Sequence, residues 1–312
     1  MRNQFIELLK EICTENGISL HLFSGDWIAK LEDPRGRLSF VYGYNFSLNS
    51  AAAAHACQDK NATFLILNSA GIPAVHHELF LNPGDTLVSP IIPSGGSMSR
   101  IMQYSSTCDF NVVLKPVCGT GGNGVVRART CKEVEGAILA LFQKYHGLVV
   151  SPFVTIKREI RVLVLNGHVR LVYEKRRPSV IGDGQSSLAV LVALQMGPRF
   201  NPLQLPSDFD MSSVPLKGEE IPIEWRHNLG HGASPVLIPE PDERLCDLAV
   251  RTAAALGVRF CSVDIVEGDN QTYSVLEVNS GVMMDSFIAS SDTTFRAIAK
   301  SIYTDAILSS LV

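Results

Sequence analysis

Apolar residues rich in Val, Ile, Leu and Tyr flank Gly268-Asp269-Asn270 between Asp264 and Ser280, a pattern that predicts two strands joined by a tight turn. Residues 161–165 and 168–173 predict a second hairpin. They are split by Asn166-Gly167, a dipeptide suited to the left-handed positions of a two-residue turn. Residues 1–16 carry Glu7, Glu11 and Glu15 among apolar neighbours and read as an amphipathic helix. Short strands are expected at 19–23, 27–31 and 38–42. The alanine-rich stretch 50–68 has a helix-forming composition. It ends at Ala70-Gly71-Ile72-Pro73, a helix stop followed by an extended segment. Downstream, the pattern predicts a buried strand at 111–116, a helix at 130–145 and a strand from 148. A Pro-rich connection at 197–222, an amphipathic helix at 242–256 and a closing helix at 293–311 complete the chain. The order is mixed α+β in several lobes, without βαβ alternation.

With 312 residues, 46% apolar and 19% charged, the make-up is that of a soluble globular enzyme with room for two or three packed lobes. A net charge of -4 gives no reason to expect a nucleic acid or an anionic membrane as partner. The seven cysteines are scattered and form no Cys-x-x-Cys pair. Free thiols in a reducing cytoplasm are therefore expected, rather than a disulfide frame or zinc knuckle. The acidic first helix does not read as a signal peptide, and no apolar run approaches the roughly 18 residues of a membrane span.

Chemistry concentrates in four places. On a strand, residues two apart share a face, so Glu277 and Asn279 point the same way, about 7 Å apart along the chain. The turn brings Asp264 back beside Glu277. Two carboxylates and an amide oxygen on one ribbon make a magnesium-type site that leaves positions for phosphate oxygens; the alternative is a solvated hairpin face. Lys115 ends an apolar strand and precedes Gly119-Thr120-Gly121-Gly122-Asn123-Gly124. Backbone N–H groups in such a turn cradle phosphates, and the lysine adds a point charge; a plain flexible turn is the alternative. The spacing is neither a Walker A motif nor a dinucleotide-binding fingerprint. Glu159 and Arg161 share a strand face. Arg226-His227-Asn228-Leu229-Gly230-His231-Gly232 is a polar loop whose arginine suits phosphate or carboxylate, or else an ordinary surface loop. Its glycines argue against a helix, and so against zinc between His227 and His231. Lys175-Arg176-Arg177 and Asp59-Lys60 are solvated faces or cleft-lining groups.

In this order, from about residue 48 to 280, these pieces resemble the ATP-grasp superfamily of carboxylate–amine ligases. The similarity is greatest to the ATP-grasp modules of cyanophycin synthetases and bifunctional glutathione synthetases, through Asn49-Ser50-Ala51-Ala52-Ala53-Ala54 and Val180-Ile181-Gly182-Asp183-Gly184. Ribosomal-protein glutamate ligases share the Arg-x-Asn-Leu element, here Arg226 to Leu229. The resemblance implies an ATP-grasp fold: an N-terminal α/β domain at 1–95, a glycine-loop lid lobe at 96–155 and a C-terminal lobe at 156–312, with ATP clasped between the lobes. It further implies that Lys60 and Lys115 contact ATP phosphates under the loop Gly119, Thr120, Gly121, Gly122, Asn123 and Gly124. Asp264, Glu277 and Asn279 would hold one or two Mg²⁺ ions, with Mn²⁺ as an alternative. Arg226, with Asn228 in the same element, would serve the transferred phosphoryl group, and Arg161 would orient the substrate carboxylate or acyl phosphate. Ser151 and Phe153 lie on the adenine side, where Val150-Ser151-Pro152-Phe153 departs from the family pattern and leaves nucleotide selectivity open. Ser280-Gly281-Val282-Met283-Met284 replaces a proline-glycine turn on the substrate side.

The activity implied is amide-bond formation between amino-acid-type substrates through an acyl phosphate. A peptide or protein acceptor is the alternative within the same class. A catalytically inactive nucleotide-binding regulator is the alternative outside it, disfavoured by the intact set of polar residues. No Mur-ligase-like or cysteine-ligase domain accompanies the motifs, so a stand-alone module, possible as a homodimer, is expected.

Overall fold

The computed structural model describes residues 3–85, 97–119, 121–196, 210–289 and 293–311. Helix α1 (Asn3–Glu15) buries Phe5, Leu8, Leu9 and Ile12, one face at helical spacing. Strands β1 (Ser19–Phe23), β2 (Ile28–Glu32), β3 (Leu38–Tyr42) and β4 (Asn45–Phe46) form an antiparallel sheet in sequence order. Alternate residues Ala29, Leu31 and Val41 turn inward from it.

The stretch expected as one helix is two, α2 (Ala51–Gln58) and α3 (Lys60–Ser69). Asp59 leaves the helical conformation, and its carboxylate accepts the N–H groups of Asn61 and Ala62, both at 2.9 Å. A side chain that satisfies two orphan donors at once starts a new helix, whatever the composition on either side.

Strand β5 (Glu78–Leu81), helix α4 (Ser97–Ser106), strands β6 (Val112–Pro116) and β7 (Val126–Ala128), helix α5 (Cys131–Phe142) and strand β8 (Gly147–Pro152) build a second lobe, the one expected from its glycine loop to be the lid. Its sheet has the order β5-β8-β6-β7, and its core joins Phe80, Ile101, Leu114, Ile138 and Val150. The boundary expected after residue 95 therefore falls inside this lobe, because β5 is hydrogen-bonded along its length to β8.

Strands β9 (Arg158–Leu165) and β10 (His168–Arg176) form the Asn166-Gly167 hairpin, with φ of 51° and 79° at the two turn residues. Strand β11 (Ser179–Ile181), helix α6 (Leu188–Gln195) and strand β12 (Glu220–Pro222) make a small satellite. The end of the expected 197–222 connection is thus a strand paired with β11, while residues 197–209 lie outside the described residues. Strand β13 (Ser234–Leu237), helix α7 (Glu243–Ala255), strands β14 (Phe260–Glu267) and β15 (Tyr273–Asn279), and helices α8 (Asp285–Ile288) and α9 (Thr293–Ser310) follow.

The main sheet is antiparallel throughout, in the order β13-β10-β9-β14-β15. One face, with Ile160, Val162, Val164, Val263 and Ile265, packs under α7. The opposite face is divided. At one end Leu163, Leu165, Leu171 and Phe260 join the core of α1, the N-terminal sheet and α9. At the other end the residues on that face are charged. Asn49 ties the halves together: its Oδ1 accepts the N–H groups of Arg259 (2.8 Å) and Phe260 (3.1 Å), and its Nδ2 donates to the Phe260 carbonyl at 2.7 Å. Ser50, the next residue, caps α2.

Candidate active site

The register puts Arg161 of β9, Asp264 of β14 and Glu277 of β15 in one row across the sheet, with Tyr173 of β10 opposite Arg161. Asn279 lies two residues on from Glu277, and its Nδ2 donates to Glu277 Oε1 at 2.9 Å. The two side chains share the face that period-2 alternation predicts.

Asp264 is more heavily engaged. Arg161 grips it with Nε on Oδ1 at 2.6 Å and Nη2 on Oδ2 at 2.7 Å, and Lys175 Nζ reaches Oδ2 at 3.1 Å. Lys175 also pairs with Glu159. Burial pushes the Asp264 carboxyl up, but the charges of Arg161 and Lys175 hold it below the usual carboxylate range. For Lys175 the balance has the opposite sign: burial pulls it down, while Asp264 and Glu159 raise it above its ordinary value. Glu159 is raised by burial, which Lys175 only partly opposes. Such a network costs desolvation for every member and becomes strongly unfavourable if one partner is removed.

A hard divalent cation requires oxygens open to the cleft. Glu277 and Asn279 meet that condition, both being part-buried and bonded to each other through single atoms. Asp264, expected as a ligand, has three N–H donors on its two oxygens. That leaves about one of a carboxylate's roughly four lone-pair positions. Among the described residues no cluster of three or more His, Cys, Asp or Glu side chains is arranged to hold a metal, so the donor set depends on the Asn279 amide oxygen.

The glycine loop follows β6. Gly124 has φ of 71°, and a Cβ there would sit 2.9 Å from both Pro116 Cγ and Tyr145 Oη, so only glycine closes the turn. Gly119, Gly121 and Gly122 also have positive φ, and Asn123 lies between them and Gly124; Thr120 lies outside the described residues. Lys60, at the start of α3, donates from Nζ to the Gly119 carbonyl at 3.1 Å, and its backbone N–H bonds Val117 O at 3.1 Å. The helix break at Asp59 creates this junction, since Asp59 also bridges to Cys118.

Lys115 is part-buried. Burial of its ammonium lowers its pKa to about 8, with Glu277's charge opposing and Lys60's adding to the shift. Its Nζ lies 3.3 Å from His77 Nε2. Lys60, His77 and Glu277 line one small cavity, so the base of the lid and the hairpin end converge there.

At the end of β8, Ser151 is buried opposite Val113, and Phe153 leaves the strand with its N–H on Asn111 O at 2.9 Å. The Phe153 ring meets Trp225 at 6.0 Å between centroids, and the Arg127 guanidinium lies 3.3 Å over it. Next to Trp225, Arg226 Nη2 donates to the buried Glu224 at 2.7 Å. His227 Nδ1 bonds the Lys175 carbonyl at 2.8 Å, and burial pulls this histidine down to about 4. Its Nε2 has no hydrogen-bond partner, and among the described residues no group of three or more His, Cys, Asp or Glu side chains gathers to hold a metal. Asn228 accepts Gly230 N–H at 2.8 Å and caps a short 3-10 turn over Leu229–His231.

Sequence reasoning did not foresee the buried roles of Lys175, His77 and Glu224. The i, i+2 spacing of Tyr173 and Lys175 on β10 was the available signal for the first; His77 carries no periodic signal.

No protein-family model matches the chain. Over 234 residues it is 28% identical to cyanophycin synthetase of Trichormus variabilis, covering 69% of this chain and 24% of that protein. It is 23% identical over 281 residues to the glutathione biosynthesis bifunctional protein of Streptococcus mutans, covering 83% and 34% of the two chains. The chain thus spans only about a quarter to a third of these curated relatives. Among solved structures, a bifunctional glutathione synthetase from Pasteurella multocida superposes with a TM-score of 0.56 at 20% identity, over 96% of this chain and 43% of that one. A D-alanine–D-alanine ligase from Bacillus anthracis gives 0.52 at 16% identity, over 84% and 68%. At such identities the superpositions speak for the fold, and the aligned sequences agree with them. The chain has the ATP-grasp fold, and in sequence it is similar to ligases built on that fold.

Proposed function

We propose that this chain is an ATP-dependent ligase that joins a carboxylate and an amine of amino-acid-type substrates through an acyl phosphate, releasing ADP and phosphate. The observation that carries this reading is the gathering of Arg161, Lys175, Glu277 and Asn279 at one end of the main sheet's face, with Lys115 of the other sheet close enough to feel the charges of Glu277 and Glu159. Bringing a carboxylate to a triphosphate sets anion against anion, and preorganised cations in a water-poor cleft lower that barrier most effectively.

Lys115 and Lys60 would bind the phosphates, with the N–H groups of the glycine loop closing over them. Arg226, held by Glu224, would reach the transferred phosphoryl group, with Asn228 shaping its loop. Arg161 has one guanidinium nitrogen beyond the pair that grips Asp264, and would present it to the substrate carboxylate. Phe153 and Trp225 would offer an aromatic wall to the base beside Ser151. Mg²⁺, or Mn²⁺, would be held by Glu277 and Asn279 with Asp264 as third donor through its remaining lone pair, and when bound would neutralise phosphate charge. A cytoplasmic setting fits the reduced thiols: every described cysteine is free, and no helix among the described residues is long and apolar enough to cross a membrane.

The test is phosphate release from ATP and Mg²⁺ with paired carboxylates and amines drawn from amino acids and short peptides. Release is expected only when both partners are supplied, and Glu277→Gln should abolish it with the fold unchanged by circular dichroism. Phosphate transfer to an alcohol, or full turnover by Glu277→Gln, would remove the reading.

A further inference from the structure

His77 lies where the chain passes from one lobe to the other. Before it, Pro73 to Val75 run along the edge of β15: Val75 N–H donates to Val275 O at 2.8 Å, and Val275 N–H donates to Pro73 O at 2.9 Å. After it, β5 enters the lid sheet. Asn61 Nδ2 pins the His77 carbonyl at 2.8 Å, and the residue is 2% exposed.

The ring's protonation follows from its partners. His77 Nδ1 is 2.7 Å from the Val75 carbonyl, which only accepts, so Nδ1 carries the hydrogen. Nε2 is then a bare lone pair, and Lys115 Nζ, which only donates, lies 3.3 Å from it. Burial, joined by the charge of Lys115, holds His77 well below the ordinary histidine value, so the ring stays neutral.

Resting on the ligase reading above, we infer that His77 is a positioning residue for Lys115. It aims the lysine's ammonium at the phosphates through a neutral acceptor tied to the strand of Glu277. An acidic partner in its place would also orient the ammonium, but would cancel the charge that has to meet the triphosphate. A neutral acceptor fixes direction and leaves the charge unspent.

The experiment measures MgATP affinity by calorimetry for the wild type, His77→Leu and His77→Gln, each with Lys115 intact and with Lys115→Ala. With Lys115 present, His77→Leu should weaken MgATP roughly tenfold, the scale of one hydrogen bond to a charged group. His77→Gln, which retains an acceptor, should recover most of that loss. In the Lys115→Ala background His77→Leu should change nothing further, because its effect runs through the lysine. Equal losses in both backgrounds, or unaltered affinity in His77→Leu beside normal wild-type binding, would overturn the assignment alone. No MgATP binding by the wild type would overturn the ligase reading with it. Should His77→Leu not fold, nitrogen NMR of the wild-type ring decides without any variant or nucleotide. A protonated Nδ1 with bare Nε2 at neutral pH is expected, and an Nε2–H tautomer or an imidazolium would refute the contact.

Discussion

Two lysines approach the same cleft end from opposite lobes, and their surroundings have opposite signs. Lys175 of the main sheet is wedged between Glu159 and Asp264, and its pKa is raised. Lys115 of the lid touches a neutral imidazole, and its pKa falls to about 8. The first lysine's charge is consumed by hydrogen-bonded carboxylates, and the second's, on the proposed function, would meet the phosphates. A buried cation hydrogen-bonded to its own carboxylates supports the fold and aligns its neighbours, whereas one that only feels carboxylates nearby, as Lys115 feels Glu277 and Glu159, keeps its donors for another partner.

The largest effect should come from Lys175→Met. It would strand Glu159 and Asp264 in the sheet with Arg161 alone, at a cost of about 3–5 kcal/mol, read as a lower urea midpoint. An unchanged midpoint would erase the contrast between the two lysines. Lys115→Ala should do the reverse: the urea midpoint should change little, because the ammonium's burial outweighs its attraction to Glu277 and Glu159, while MgATP affinity falls about 10²-fold. The smallest effect is in pH. Lys115 is charged below about 8, so MgATP affinity should hold near pH 7 and decline as pH rises past 8. Lys175, raised above its ordinary value, keeps its charge over that window. A pH-titrated calorimetric series that is flat in Lys115→Ala and sloped in the wild type would tie the slope to this lysine; equal slopes would break the link.

The contrast also shows what a sequence exposes. The pairing of Asp264 with Glu277, and the face that Glu277 shares with Asn279, were legible because strand alternation and a turn fix which residues share a face. The Asn166-Gly167 hairpin was legible for a similar reason, its two residues taking left-handed angles that suit few others. Strands β9 and β10 were expected too short, by three residues at the outer end of each. Those ends are charged, and charges neutralised across a sheet leave no mark on a hydrophobic pattern. The break at Asp59 was hidden for a different reason: alanine-rich and helix-forming residues continue on both sides, and only the cap geometry reveals a new start. Asp264 as an oxygen donor was inferable from spacing, whereas its hold on Arg161 and Lys175 required the register of three strands.

The run from Pro73 to Leu81 is stitched to β15 at its beginning and to β8 at its end, with His76 and His77 as the links outside either ladder. Like a strap sewn to two panels, it joins the lid lobe to the hairpin, beside the second seam that Asp59 and Lys60 make with Cys118 and Val117. Because the His77 ring hangs from the panel of β15 and holds a lysine of the other, any tilt between the two pulls on Lys115 directly. A change in the angle between the panels would therefore also change where that charge sits.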